Sequence, residues 1–357
     1  MTAPRIALPQ RPRILVIALR RLGDVLLSTP LIRSIKQAWP EGRVDALVFA
    51  DTAGILQGNP DIDRVIAMPV RPTAAESIAL AARLIGRYHL AVSTQSGDRP
   101  TGFAIIAARR RAAPVERRFS GRIKRTLLTR NVASDPRVHR VEAMLRLADT
   151  LGIPRVSQVV PPQGGRPTEL PGGDYAVIHA APMFNYKRWT VDGWRALASA
   201  LTERGLSVVA TGGPGETERK YLDDVWSGSS VIRYDGKLTW AALTRLLSRA
   251  RLFVGPDTSV THLAAASGCP TVALYGPTDP RLWGPWPVGG LQENWAADSS
   301  LQNRGNVWLV QNQFPCVPCQ LEGCERNVES TSQCLMQLSS DSVISVVDQL
   351  FASAVAI

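Results

Sequence analysis

Arg13-Ile14-Leu15-Val16-Ile17-Ala18-Leu19 has no polar residue after its first position. A strand of this kind has no face to offer water, so it must be covered on both sides, as in a parallel sheet flanked by helices. The run ends at Arg20-Arg21-Leu22-Gly23-Asp24. Leu27, Leu31, Ile32, Ile35 and Trp39 then recur at helical spacing, with Pro30 admissible in the first turn. Residues 44–49 read as strand, 53–57 as helix and 64–66 as strand, which is β-α-β alternation.

The pattern restarts after a turn-rich stretch at 160–173, which contains Pro-Pro-Gln-Gly-Gly-Arg-Pro and Leu-Pro-Gly-Gly. Strands are expected at 175–179, 206–210, 231–232 and 252–254, and helices at 194–203, 217–226, 239–249 and from about 257. The fold class is therefore α/β, with two doubly wound, Rossmann-like domains. Residues 1–165 form the first domain, 166–335 the second, and 336–357 a terminal helix with Val343, Ile344, Val347, Leu350 and Phe351 on one face.

A chain of 357 residues with 45% hydrophobic and 20% charged residues can bury two cores, and this balance excludes a disordered or fibrous protein. Lys and Arg number 41 against 30 Asp and Glu, a net charge of +11 that favours anionic partners. Much of it is local: residues 109–130 carry nine basic side chains against Glu116 alone. No apolar run is long enough for a membrane span or a signal peptide, so a cytoplasmic protein is expected. Four of the five cysteines fall within 316–334, which does not suit a disulfide-stapled secreted fold.

Several turns could carry chemistry. Gly255-Pro256-Asp257-Thr258-Ser259-Val260-Thr261-His262 joins a parallel strand to an apolar helix, and such a turn presents free amides and a helix dipole to an anion such as phosphate. By itself it equally describes an ordinary helix cap, and His262 an ordinary structural histidine. Gly212-Gly213-Pro214-Gly215-Glu216 also joins strand to helix, without the full dinucleotide fingerprint. Asp24 is either a helix cap or a reactive carboxylate, and Lys187 either a solvated loop cation or a counter-charge.

Their joint arrangement is more telling. Gly23-Asp24-Val25-Leu26-Leu27-Ser28-Thr29-Pro30-Leu31, then Asn59-Pro60, Lys187-x-Trp189-x4-Trp194, Gly255-x-Asp257-Thr258-Ser259-x2-His262 and Tyr275-Gly276-Pro277-Thr278-x-Pro280 follow in order. Together they resemble glycosyltransferase family 9, the ADP-heptose:lipopolysaccharide heptosyltransferases, from about residue 13 to 350. The resemblance implies a GT-B enzyme with two Rossmann-like domains facing a central cleft, and a terminal helix crossing back to the first. The first domain would take the lipid acceptor and the second the nucleotide sugar, with no catalytic metal and no cofactor.

On this resemblance Asp24 and Lys187 are the catalytic candidates, and Gly23, His179, Glu216, Asp257, Thr258, Ser259 and His262 the donor-binding ones. Glu216 falls where the family's ribose-binding acid is expected, with Glu218 close enough to exchange with it. Arg117, Arg118, Arg122 and Arg125 are candidates for the phosphorylated acceptor and the anionic membrane surface. Cys316-x2-Cys319-x4-Cys324-x9-Cys334 resembles a tail of many family members, and four thiolates are a possible tetrahedral metal set.

The implied reaction is inverting transfer of heptose from ADP-L-glycero-β-D-manno-heptose to the lipopolysaccharide inner core and its lipid A anchor. The enzyme would be peripheral on the cytoplasmic face of the inner membrane. One alternative is another nucleotide sugar or glycan acceptor. A more distant one, nucleic-acid binding through the basic stretch, lacks aromatic residues interleaved with that charge, so nucleic acid is not expected as a partner.

Overall fold

The computed structural model describes residues 3–117, 119–165 and 169–355. The chain divides into two compact units, 1–164 and 165–357.

In the first unit, β1 (Arg13–Ala18), β2 (Arg43–Phe49), β3 (Arg64–Met68), β4 (Tyr88–Ser93), β5 (Ala108–Val115) and β6 (Arg130–Ala133) form one parallel sheet, ordered β3-β2-β1-β4-β5-β6. Among the described residues six helices accompany it: α1 (Leu22–Leu26), α2 (Thr29–Ala38), α3 (Ala74–Leu84), α4 (Asp98–Ala107), α5 (Phe119–Leu127) and α6 (Arg140–Leu151). Ile14 and Val16 of β1 pack with Leu31 and Ile35 of α2 and Met144 and Leu147 of α6. On the opposite face Leu15 and Ile17 pack with Leu80 and Leu84 of α3 and Phe103 of α4. Both faces of the opening apolar run are thus covered.

Two sequence expectations are refined, and the basic stretch acquires a place in the sheet. The helix after β1 is split into α1 and α2, because the hydroxyls of Ser28 and Thr29 bond back to the carbonyls of Val25 and Leu26, both at 2.7 Å. Residues 53–56 of the expected helix belong to a tighter 3-10 turn, Ala50–Leu56, which Gln57 closes. Part of the basic stretch is strand: Arg109 and Arg110 lie exposed on β5.

The second unit contains β7 (Tyr175–Ile178), β8 (Ser207–Ala210), β9 (Ile232–Arg233), β10 (Leu252–Pro256), β11 (Thr271–Tyr275), β12 (Leu301–Arg304) and β13 (Val307–Gln311). Their order is β12-β13-β11-β10-β7-β8-β9, parallel except for β12. The helices are α7 (Val191–Glu203), α8 (Glu216–Val225), α9 (Trp240–Ser248), α10 (Ser259–Ala266), the short α11 (Pro280–Trp283) and α12 (Gln333–Met336), and α13 (Ser340–Val355). Val343, Val346, Val347 and Leu350 of α13 are buried with Leu197 and Leu201 of α7. The terminal helix is therefore part of the second unit's core, where the sequence reading set it apart as a separate segment crossing back. Its apolar face matches the α7 surface left open by the sheet.

The last residues of the first unit return across its start. The amides of Val156 and Val160 bond to the Ser34 and Thr29 hydroxyls, each at 2.9 Å, and Gln163 bonds to the Gln57 carbonyl at 2.8 Å. The adjacent Gly58 has φ +64°, and a Cβ there would stand 2.2 Å from the Gln163 carbonyl oxygen. Gly58→Ala is expected to destabilise the first unit by about 1–3 kcal/mol, measured by urea unfolding, through combined left-handed strain and backbone collision.

Candidate active site

In a doubly wound sheet, ligands bind beyond the carboxyl ends of the strands where the strand order reverses. In the second unit that point lies between β7 and β10. The chain leaving β7 runs through His179 to the 3-10 turn Asn185–Lys187, and the chain leaving β10 reaches Asp257 and the start of α10. Topology therefore brings Lys187 to Asp257.

Asp257 is buried and surrounded. The Lys187 ammonium donates to its Oδ2 and also to its backbone carbonyl, the latter at 3.3 Å. Thr278, just beyond β11, donates to Oδ2 at 2.7 Å, and the Tyr275 hydroxyl approaches Oδ1 at 3.4 Å. His262 Nε2 stands 3.9 Å from Oδ1. Burial alone would raise the carboxyl, but the Lys187 charge, His262 and the hydrogen bonds from Lys187 and Thr278 outweigh it and hold Asp257 below the usual carboxylate range. Tyr275 is pushed well above the ordinary phenol by burial and by the Asp257 charge. Thr258 caps α10, accepting from the Thr261 amide at 3.4 Å, so the amino end of this helix stands beside the Lys187 pair.

The loop after β8 borders the same strand ends. His179, buried, shares a 3.1 Å hydrogen bond with the Thr211 hydroxyl, and burial pushes its imidazole down to about 4, an interaction with the Thr211 backbone offsetting only part. Glu218, rather than Glu216, closes on the glycine loop: its Oε1 accepts from the Gly213 amide at 2.6 Å. Glu216 points to solvent and pairs with Lys220 at 3.0 Å. Burial raises the Glu218 carboxyl, the Gly213 bond opposes this, and the neighbouring Asp235 charge adds to the rise. Arg188 lies over the Tyr221 ring, 4.0 Å from its centroid.

The first unit repeats the logic. Its strand order reverses between β1 and β4, and Asp24 sits one short turn beyond β1, only 9% exposed. Arg140 of α6 reaches Asp24 Oδ1 at 3.0 Å and Arg20 reaches the same oxygen at 3.3 Å. Arg140 also donates to the Thr94 carbonyl at 3.3 Å, beyond β4. Gly23, which the sequence reading placed among the donor residues, lies in α1 of this unit, directly before Asp24.

Residues 153–304 match the family model described as glycosyltransferase family 9 (heptosyltransferase). An Escherichia coli protein, lipopolysaccharide heptosyltransferase 3, is 29% identical over 296 residues, covering 77% of this chain and 86% of the relative. The solved glycosyltransferase family 9 structure from Veillonella parvula superposes with a TM-score of 0.75 at 19% identity, covering 96% of this chain and 97% of that one. E. coli heptosyltransferase WaaC with ADP gives 0.71 at 22% identity, covering 95% and 99%. The chain is similar to glycosyltransferase family 9 proteins in sequence and in fold. Its architecture is that of the GT-B class, two doubly wound units, and it is a glycosyltransferase.

Sequence reading of this glycosyltransferase missed three partners. Thr278 and Tyr275 lay inside a quoted motif but without an assigned role. Arg140 carried no local signal, since it meets Asp24 only through the packing of α6. Of the four arginines proposed for an anionic partner, Arg117, Arg122 and Arg125 are exposed, and Arg118 lies outside the described residues. Lys124 in the same stretch is spent on Asp98 at 2.7 Å.

The cysteine tail does not form the candidate metal set. Among the described residues no group of three His, Cys, Asp or Glu side chains is placed to hold a metal ion. Cys316 and Cys324 are exposed, while Cys334 is buried with its thiol pushed up to about 11, first by burial and then by the other three thiols. The tail instead buttresses the site. Ser332 donates to the Tyr186 carbonyl at 2.7 Å, Asn185 donates to Glu329 at 3.1 Å, and Gln320 donates to the Pro277 carbonyl at 2.7 Å. One segment thus braces both the Lys187 turn and the Thr278 turn. A surface cavity of about 450 Å³ lined by Arg5, Trp39 and Glu41 contains none of the site residues.

His179 gives the transferase an acid-sensitive second unit. Its pKa is depressed, so the unfolded chain takes up a proton as pH falls through 6.5 while the folded chain resists until about 4. The contribution is complete above that window and is lost through it, about 3 kcal/mol in all. Unfolding free energy from urea melts is expected to fall less between about pH 7 and about pH 4 in His179→Asn than in the parent.

Proposed function

We propose that the enzyme transfers heptose from ADP-L-glycero-β-D-manno-heptose to the inner core of lipopolysaccharide, with inversion at the anomeric carbon. The observation that carries the reading is the Lys187–Asp257 pair beside the amino end of α10, at the switch point of the second sheet. Such a place offers a cation, helix amides and hydroxyls to a diphosphate. The names of the relatives, lipopolysaccharide heptosyltransferases, support the sugar and the acceptor.

Glycosyl transfer passes through an oxocarbenium-like state in which the donor diphosphate leaves as an anion while the acceptor hydroxyl loses a proton. Lys187, oriented by Asp257, neutralises the leaving diphosphate, and Thr258 and Ser259 bind it at the start of α10. His262 buttresses Asp257. Asp257 thereby serves the donor indirectly, as the anchor of the lysine. Glu218 takes the ribose role in place of Glu216, because it alone of the two is held on the Gly212-Gly213 loop. His179, neutral and buried, sets the floor of the donor site. Asp24 is the general base that receives the acceptor proton, with Arg20 and Arg140 holding its carboxylate.

The exposed Arg117, Arg122 and Arg125 engage the phosphorylated acceptor and the anionic cytoplasmic leaflet, so the enzyme works as a peripheral protein of the inner membrane. No helix among the described residues is long and apolar enough to cross a membrane.

Mass analysis of product from ADP-heptose and truncated core acceptor tests the assignment, and a strong preference for UDP or GDP over ADP would overturn the donor. Asp24→Asn is expected to lower turnover by about 10²–10⁴-fold with ADP affinity retained. Lys187→Ala should depress turnover more than donor binding, whereas an unchanged maximal rate with a raised Michaelis constant would contradict its role on the leaving group.

Arg140→Gln is expected to lower kcat by about tenfold or more at unchanged ADP affinity. Arg140→Lys, which keeps the charge, should recover part of it. Loss of thermal stability in both variants with normal kcat would instead make Arg140 a purely structural cation.

A further inference from the structure

Helix α3 is apolar on two faces. Leu80 and Leu84 meet the sheet and are buried in the first unit's core. At 3.6 residues per turn, Ala74, Ala75, Ile78, Ala79, Ala82 and Ile85 fall on one outward arc of about 140°. All six are exposed, Ile78 at 69% and Ile85 at 66%. The helix itself carries two charges, Glu76 and Arg83. Glu76 is occupied by the capping box, accepting from the Thr73 amide at 2.7 Å. Arg71 before the helix, Arg83 near its end and Arg87 beyond it are exposed. A helix that is apolar nearly all round ordinarily has a second partner.

The basic helix α5 and the segment leading into α3 both meet the beginning of α4. At the beginning of α4, Arg99 donates to the Val70 carbonyl ahead of α3 at 3.2 Å, and the adjacent Asp98 pairs with Lys124 of α5. Val70 is itself 48% exposed, and α5 exposes Ile123 and Leu127 among its arginines. The two helices thus share one end of the first unit.

We propose that the outward face of α3 is the apolar half of a two-part membrane contact, lying in the interface of an anionic bilayer while the arginines of α5 supply the electrostatic half. This rests on the reading of the enzyme as one that works at a lipid surface. Two isoleucines and four alanines make a shallow, weak anchor, and such an anchor holds only when a second signal acts with it. The arginines at both ends of α3 favour anionic headgroups. They disfavour a second copy, because a two-fold contact through this face would set Arg71 and Arg87 of one protomer near those of the other with no free carboxylate on the helix to separate them.

The test is sedimentation of the full chain with vesicles of phosphatidylethanolamine containing about a quarter phosphatidylglycerol, the anionic component on which the arginines depend. The double variant Ile78→Ser, Ile85→Ser is expected to bind about tenfold more weakly at low and at high salt, since the apolar contribution is not screened. Its melting temperature, ADP affinity and turnover on a water-soluble, deacylated acceptor should match the parent. Replacing Arg117, Arg122 and Arg125 by Gln should weaken binding at low salt alone.

Parent-like vesicle binding by the isoleucine variant would remove α3 from the contact and leave the arginine reading standing. Absence of binding by the parent at low salt would overturn the lipid-surface reading and this inference together. A concentration-dependent dimer of the parent, lost in the isoleucine variant, would assign the face to a second copy and overturn the proposal.

Discussion

A carboxylate withdrawn from water is tolerated only if its surroundings replace the solvent, and the second unit is organised around meeting that condition for Asp257. The partners come from the ends of three different strands: Lys187 after β7, Asp257 itself after β10, and Thr278 with Tyr275 at β11. None of these loops can move far without leaving the charge uncompensated. The same pairing that stabilises the buried anion therefore fixes where the lysine is held.

The two units answer the same demand with opposite polarity. In the second, one acid orients one cation at the switch point. In the first, two arginines hold one oxygen of an acid at the corresponding place, after β1. A leaving anion calls for a positioned positive charge, and a departing proton for a positioned negative one. In the proposed mechanism the repeated fold supplies the location in both cases, and the side chains placed there set the sign.

How much of this was legible beforehand follows from the range of the interactions. The double coverage of β1 could be read from the seven-residue run that contains it, and four strands of the second sheet, β7 to β10, from their repeated pattern, because burial on both faces leaves no polar alternation. The Asp257 turn was legible as a motif, and its family resemblance named Lys187. Choosing Glu218 over Glu216 was not possible from spacing alone, since both lie in the first turn of α8 and only the direction of that turn decides which reaches Gly213. Arg140 was out of reach because its meaning comes from α6 packing beside β1. The terminal helix was recognised by its apolar face, but the surface it covers, α7, depends on tertiary fit rather than periodicity.

The bracing of the Lys187 and Thr278 turns by the cysteine tail has a consequence for how this chain can diversify. A loop connecting two elements ordinarily absorbs insertions and deletions at little cost. The stretch between β13 and α13 is instead stitched at Gln320, Glu329 and Ser332 to two turns that must keep their spacing. Its length is therefore set by the site it supports, and changes in length should concentrate in the exposed turns between those stitches.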